Sequence, residues 1–64
     1  MKLKIYSNQT NEIIFQMSIP NELLNEYDIN VSNENFTELF ETELLSDIMY
    51  QNNINSSEVY YELK

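Results

Sequence analysis

Residues 36–50 read FTELFETELLSDIMY, and the way this stretch folds decides the architecture. At about 100° per residue, Phe36, Leu39 and Phe40 share one side of an α-helix. Leu44, Leu45, Ile48 and Met49 fall on nearly the opposite side. The carboxylates change sides in step: Glu34, Glu38 and Glu41 oppose the first apolar group, while Glu43 and Asp47 oppose the second. One straight helix on one sheet cannot bury both groups. Either the helix bends or breaks around residues 41–43 so that both meet one core, or it stays straight and one group faces a second subunit or a target. An exposed Leu-Leu-Ile-Met patch on a small body is otherwise an aggregation liability.

The ends of this helix are marked. It starts near residues 32–35, where Asn35 followed by Glu38 has the spacing of a capping box, with Asn in place of Ser or Thr. Glu34 and Glu38 complement the positive end of the helix dipole. Asn52 or Asn53 can close it in the left-handed conformation that glycine, absent from this chain, usually takes.

Either side of it lie alternating runs. In KLKIYS (residues 2–7), Leu3 and Ile5 point one way and Lys2, Lys4 and Tyr6 the other. After the polar turn NQTN, EIIFQMSI places Ile13, Phe15, Met17 and Ile19 on one face, so the two runs predict a β-hairpin. Pro20 ends the second strand and suits the first turn of a short helix, NELLNEY, with Leu23, Leu24 and Tyr27 turned inward. SSEVYYELK alternates again, Val59, Tyr61 and Leu63 against Glu58, Tyr60 and Glu62, and predicts a third strand. The expected fold is α+β and ββαβ: a three-stranded antiparallel sheet of order 2-1-3 with one long helix across a face, all in a single small domain over residues 1–64.

Composition narrows the function. There are 11 acidic and 3 basic residues, a formal net charge of -8, and no His or Cys. Between Lys4 and Lys64 no basic residue occurs, so intrachain ion pairs are nearly excluded except near the ends. The cost is self-repulsion, partly screened by salt. Direct binding of nucleic acid or of an anionic membrane is disfavoured, because both rely on Lys and Arg. The opening MKLKIYSNQT has too short an apolar run for a signal peptide, and no segment approaches a membrane span. The expected location is the cytoplasm of a host cell.

Catalysis lacks raw material: no His, Cys, Arg or Gly, and Lys only near the ends. Paired carboxylates such as Glu38 with Glu41, or Glu43 with Asp47, are common on solvated helices and do not by themselves make an acid–base site. No enzyme activity, cofactor or metal is therefore expected. Asp28, Asn30, Ser32 and Glu34 have the spacing of half a calcium loop, but Asn33 stands at the bend where Gly is needed and Leu39 where a bidentate Glu is needed. A polar turn explains them more simply. Tyr6, Tyr60 and Ile14 fall on the outer sheet face, either as a solvent face or as a second binding surface.

An ordinary solvated face mixes both signs of charge, and this one does not. A one-signed surface makes sense if a partner supplies the cations, and such binding is fast and salt-sensitive. In size, charge, absence of cysteine and mixed α/β pattern the chain resembles the small acidic inhibitors of phages and mobile elements: anti-CRISPR proteins, anti-restriction proteins and uracil-DNA glycosylase inhibitors. The resemblance implies a non-enzymatic inhibitor or nucleic-acid mimic, bound to a basic, nucleic-acid-binding host protein. The expected contact residues are Glu26, Asp28, Glu34, Glu38, Glu41, Glu43 and Asp47, with Leu45, Met49 and Tyr50 as an apolar anchor. The alternative is a small homodimeric structural or assembly protein whose acidity serves solubility and whose seam is the apolar face of residues 44–49.

Overall fold

The computed structural model describes residues 1–64. Strands β1 (Lys2–Ser7) and β2 (Ile13–Ser18) are followed by the short helix α1 (Asn21–Glu26), the main helix α2 (residues 36–51), a 3-10 turn (Ser56–Glu58) and strand β3 (Val59–Leu63). The sheet is antiparallel with order β2-β1-β3, and the fold is α+β, as the alternating and helical runs predict. β1 is central because the chain leaves β2, returns along α2 and re-enters beside its own first strand. The alternation in β1 then has a direct consequence. Leu3 and Ile5 face the helix and are fully buried, while Lys2, Lys4 and Tyr6 line the other face.

The hairpin turn is built from local polar bonds. The Ser7 carbonyl accepts the Asn11 N–H at 2.8 Å, and the Ser7 N–H donates to the Glu12 carbonyl at 2.9 Å. Asn11 sits at φ 61, a left-handed position that Asn tolerates better than most residues. Immediately after it the register slips. Ile5 pairs with Phe15, but Tyr6 pairs with Ile13, so Ile13 and Ile14 together oppose one residue. This β-bulge breaks the expected inward alternation, and Ile13 is 45% exposed instead of joining Phe15 and Met17 on the core face.

Both helices end in the same way. Asp28 (φ 55) follows α1 and Asn53 (φ 55) follows α2. The Ile29 N–H donates to the Leu24 carbonyl and the Asp28 N–H to Asn25; the Ile54 N–H donates to Met49 and the Asn53 N–H to Tyr50. These are the paired bonds of the Schellman motif, with Asp and Asn in the position glycine usually takes. The start of α2 differs from expectation. Its first helical residue is Phe36, and the Asn35 side chain makes no capping bond. The Asn33 side chain instead accepts the Asn35 N–H at 2.8 Å, and the Asn30 side chain accepts the Ser32 N–H at 2.9 Å. Local Asx turns have out-competed the capping box.

The two apolar groups of α2 are reconciled without a break. Phe36–Leu39 and Ser46–Gln51 are α-helical, but Phe40–Leu45 between them is π-helical. The backbone stays right-handed helical at both junctions, with φ -63 at Leu39 and φ -57 at Ser46. A π turn closes over one more residue than an α turn. That extra residue absorbs about 100° of rotation, which brings the second apolar group round to the side of the first. Thr42 donates its hydroxyl to the Glu38 carbonyl at 2.9 Å, an i−4 bond of the kind that loosens a regular helical ladder. As a result Phe40, Leu44, Leu45 and Ile48 all enter one core with Leu3, Ile5, Ile19, Leu24 and Ile29. No polar or charged side chain is buried.

Candidate functional site

The wide turn in α2 also rearranges its carboxylates. Once the apolar residues share one side, the acids are left on the other, and Glu38, Glu41, Glu43 and Asp47 are all exposed. They span the solvent side of α2 from flank to flank. On the α1 flank, the Tyr27 hydroxyl donates to the Asp47 carboxylate at 2.7 Å. That bond, first, then burial and the charges of Asp47, Glu26 and Glu43 raise the Tyr27 phenol above its ordinary value. The Tyr27–Asp47 bond thus ties α1 to α2, with the charges of Glu26 and Glu43 acting on the same phenol. On the β3 flank, burial and then the charge of Glu41 raise the Tyr61 phenol. Asp28 and Glu34 are exposed in the turns that link the helices.

None of these acids meets a cation. The one ion pair in the protein joins Lys64 to Glu62 at 3.7 Å, at the far end of β3. The lysines are gathered in one corner. Lys2 and Lys64 exchange two backbone hydrogen bonds, of 2.6 and 2.9 Å, and Lys4 pairs with Glu62 in register. By the alternation of the strands all three lie on the outer sheet face, which the main helix does not cover. The same face carries Tyr6 and Tyr60, stacked with ring centres 5.1 Å apart and only 8° between planes. Tyr6 donates to Glu62 at 3.3 Å and Tyr60 donates to Asn11 at 3.0 Å.

The expected apolar anchor is only partly available. Leu45 is 3% exposed and belongs to the core, because the π turn rotates it inward. Leu44 and Ile48 are buried with it, so of the apolar face of residues 44–49 only Met49 keeps part of its side chain accessible. Met49 is half-buried, and Tyr50 stands 85% exposed. The residues with calcium-loop spacing are engaged in turns: Asp28 closes α1, and Asn30 holds Ser32. No three carboxylates converge as a metal cage, and no helix is long and apolar enough to cross a membrane.

No protein-family model matches the chain, and no curated protein or solved structure matches it.

One feature had no separate signal in the sequence. Between the C-terminal half of α2 and β3 runs an open groove of about 730 Å³. Leu45, Met49, Tyr50, Ile54, Val59, Tyr60 and Tyr61 supply its apolar lining, with Glu41 among its polar residues. The Schellman turn builds its closed end, because it returns Ile54 towards Met49. The alternation of β3 identifies Val59 and Tyr61 as inward residues, but their neighbours across the groove depend on the π turn.

The tyrosine–carboxylate contacts predict alkaline sensitivity. A phenol whose pKa is raised on folding holds its proton more tightly in the folded state. The resulting stabilisation is complete below the unfolded value of 10.0 and is lost as pH rises through the folded value. The melting temperature is therefore expected to fall above pH 10.0. In Tyr27→Phe the fall is expected to be shallower, with Tyr6 and Tyr61 supplying the remainder. An identical alkaline limb in the variant and the parent would show that the Tyr27–Asp47 bond contributes nothing to folding.

Proposed function

We propose that this protein is a non-enzymatic acidic inhibitor that binds a basic, nucleic-acid-binding protein, such as a nuclease of a defence system, in the cytoplasm of a host cell. The observation that carries this reading is the unpaired band Glu38, Glu41, Glu43 and Asp47 along the solvent side of α2, extended by Glu26 on α1. A surface of one sign costs self-repulsion in the free protein, and a cationic partner relieves that cost on binding. Carboxylates held in a row by a rigid helix can occupy positions that phosphates take in a basic groove. Such an inhibitor excludes nucleic acid by competition and needs no catalytic group of its own.

The test is a host protein captured from lysate and then titrated against the purified inhibitor over a range of salt. Affinity is expected to fall steeply from about 50 to about 300 mM salt, and nucleic acid is expected to displace the inhibitor. The variant Glu38→Gln, Glu41→Gln, Glu43→Gln, Asp47→Asn removes four charges without removing volume. At roughly 0.2–1 kcal/mol for each exposed pair, it is expected to lose about 1–4 kcal/mol of binding, or roughly fivefold to a thousandfold in affinity. A salt-independent affinity, or a variant that binds as tightly as the parent, removes the proposal.

A further inference from the structure

The two edges of the sheet are not alike. β2 is blunted by its bulge at Ile13 and Ile14, a common protection against strand addition. β3 has no bulge and no proline, and its register with β1 is regular from Val59 to Leu63. Lys64 exchanges bonds with Lys2, and Glu58 accepts from Asn8, so the even-numbered residues of this segment turn their backbone towards β1. In an antiparallel ladder the alternate residues turn theirs the other way. Val59, Tyr61 and Leu63 therefore present N–H and C=O groups to the open edge, and their half-buried side chains pack on the α2 side of the sheet.

This edge is complementary to itself. Only its odd-numbered residues can pair across it, so two antiparallel copies slide past each other in steps of two residues. Centred on Tyr61, the pairing sets Val59 opposite Leu63 of the second copy on the α2 side, and Leu63 opposite its Val59. On the outer face it sets Glu58 opposite Lys64 of the second copy, and Lys64 opposite its Glu58. A slip of two residues in one direction puts Glu58 against Glu62, and in the other it puts Glu62 against Glu62, both like-charged pairs. Lys64 has room for the new contact, because its side chain is 69% exposed and its link to Glu62 is a long 3.7 Å. Lys2, bonded through its backbone to Lys64, adds a second cation beside the incoming Glu58.

We infer that the β3 edge takes a second copy of this chain, in antiparallel register centred on Tyr61, and joins the two three-stranded sheets into one about a two-fold axis. Charge selects this occupant. The outer face at this end of β3 carries Lys2 and Lys64, so it favours an incoming acid, and a basic strand would set its cations against these lysines. Opposing the union are the net charge of -8 on each copy and Glu41, which lies with Tyr61 in the groove; salt screens both. The axis stands perpendicular to the sheet, so the two α2 helices share one face and their exposed carboxylates form one broader band. The dimer stands independently of the proposed cationic partner.

The test is sedimentation equilibrium of the intact protein at about 300 mM salt, where net repulsion is screened. The mass is expected to rise from 7.7 kDa towards twice that value with concentration. Over the same range, amide hydrogen exchange at Val59, Tyr61 and Leu63 is expected to slow at least tenfold. Glu58→Lys and Lys64→Glu each set like charges opposite one another at two places, and each is expected to weaken association roughly tenfold. The double variant restores opposite charges at the parent's net charge and is expected to recover the parent's association. Net charge alone cannot give this pattern, because the two single changes move it in opposite directions. A monomer at every concentration overturns the inference. So does association without protection of these three amides, a Glu58→Lys variant that associates as tightly as the parent, or a double variant no better than either single one.

Discussion

Phe40→Ala is expected to unfold this protein, or to leave it with only a small fraction of its stability. Phe40 is fully buried, and its ring lies 5.9 Å from Phe36 and 5.7 Å from Tyr61. It thus joins the first turn of α2 to β3, two elements with no backbone bonds between them. Truncating a buried Phe to Ala costs about 3–5 kcal/mol, through lost transfer free energy and the cavity left behind. A chain of this length has in total roughly 3–10 kcal/mol. No disulfide, metal cage or buried ion pair is present to make up the loss. Urea unfolding followed by far-ultraviolet circular dichroism measures the effect. Tyr50→Ala, which truncates an 85% exposed ring one helix turn beyond the core, is expected to change stability by less than about 0.5 kcal/mol. Equal midpoints for the two variants would mean that the aromatic contact between α2 and β3 is not what holds the fold.

The second large effect separates a deletion from an insertion at one point. If the π turn exists because the helix holds one residue too many for α geometry, deleting Thr42 should convert residues 36–51 to an unbroken α-helix. Phe36, Leu39, Phe40, Leu44, Leu45 and Ile48 would then form one apolar stripe at α-helical spacing, with the core intact. The deletion variant is expected to fold with stability close to the parent's. Inserting one Ala after Thr42 adds a further 100° or so of rotation and turns Leu44, Leu45 and Ile48 out of the core. At about 1.5–3 kcal/mol for each of three buried side chains, the cost is comparable to the protein's total stability, and the insertion variant is expected to be largely unfolded. Thermal melts with helical content from circular dichroism decide the matter. A deletion that unfolds the chain as readily as the insertion would show that the π turn is a required shape and not an accommodated surplus.

These two predictions also mark what was legible in the sequence. Strand order and the faces of β1 and β3 follow from period-two alternation, which survives in Leu3, Ile5, Val59, Tyr61 and Leu63. The opposed apolar groups of α2 were visible, and an irregularity near residues 41–43 was one of the two ways to reconcile them. Its form was not, because no residue type encodes a π turn; only the mismatch of phase betrays one. The bulge at Ile13 and Ile14 was hidden for a similar reason, since two consecutive isoleucines suit either register. The capping role of Asn35 was lost because Asn30 and Asn33 satisfy nearby N–H groups first. The carboxylates expected at the site all proved exposed. Their sharing of one flank-to-flank band depends on the same turn that no motif announced, and so does the removal of Leu45 from the surface.

The lysine corner has a consequence for how the molecule meets others. Lys2, Lys4 and Lys64 sit behind the sheet, and the carboxylates of α2 sit in front of it. The core of apolar side chains keeps the two sets apart, so the folded chain is a permanent electric dipole as well as a net anion. A polycation approaching from any direction exerts a torque on such a body before contact. It turns the helix towards itself and the lysines away, so that most encounters begin in the orientation in which the carboxylates lead.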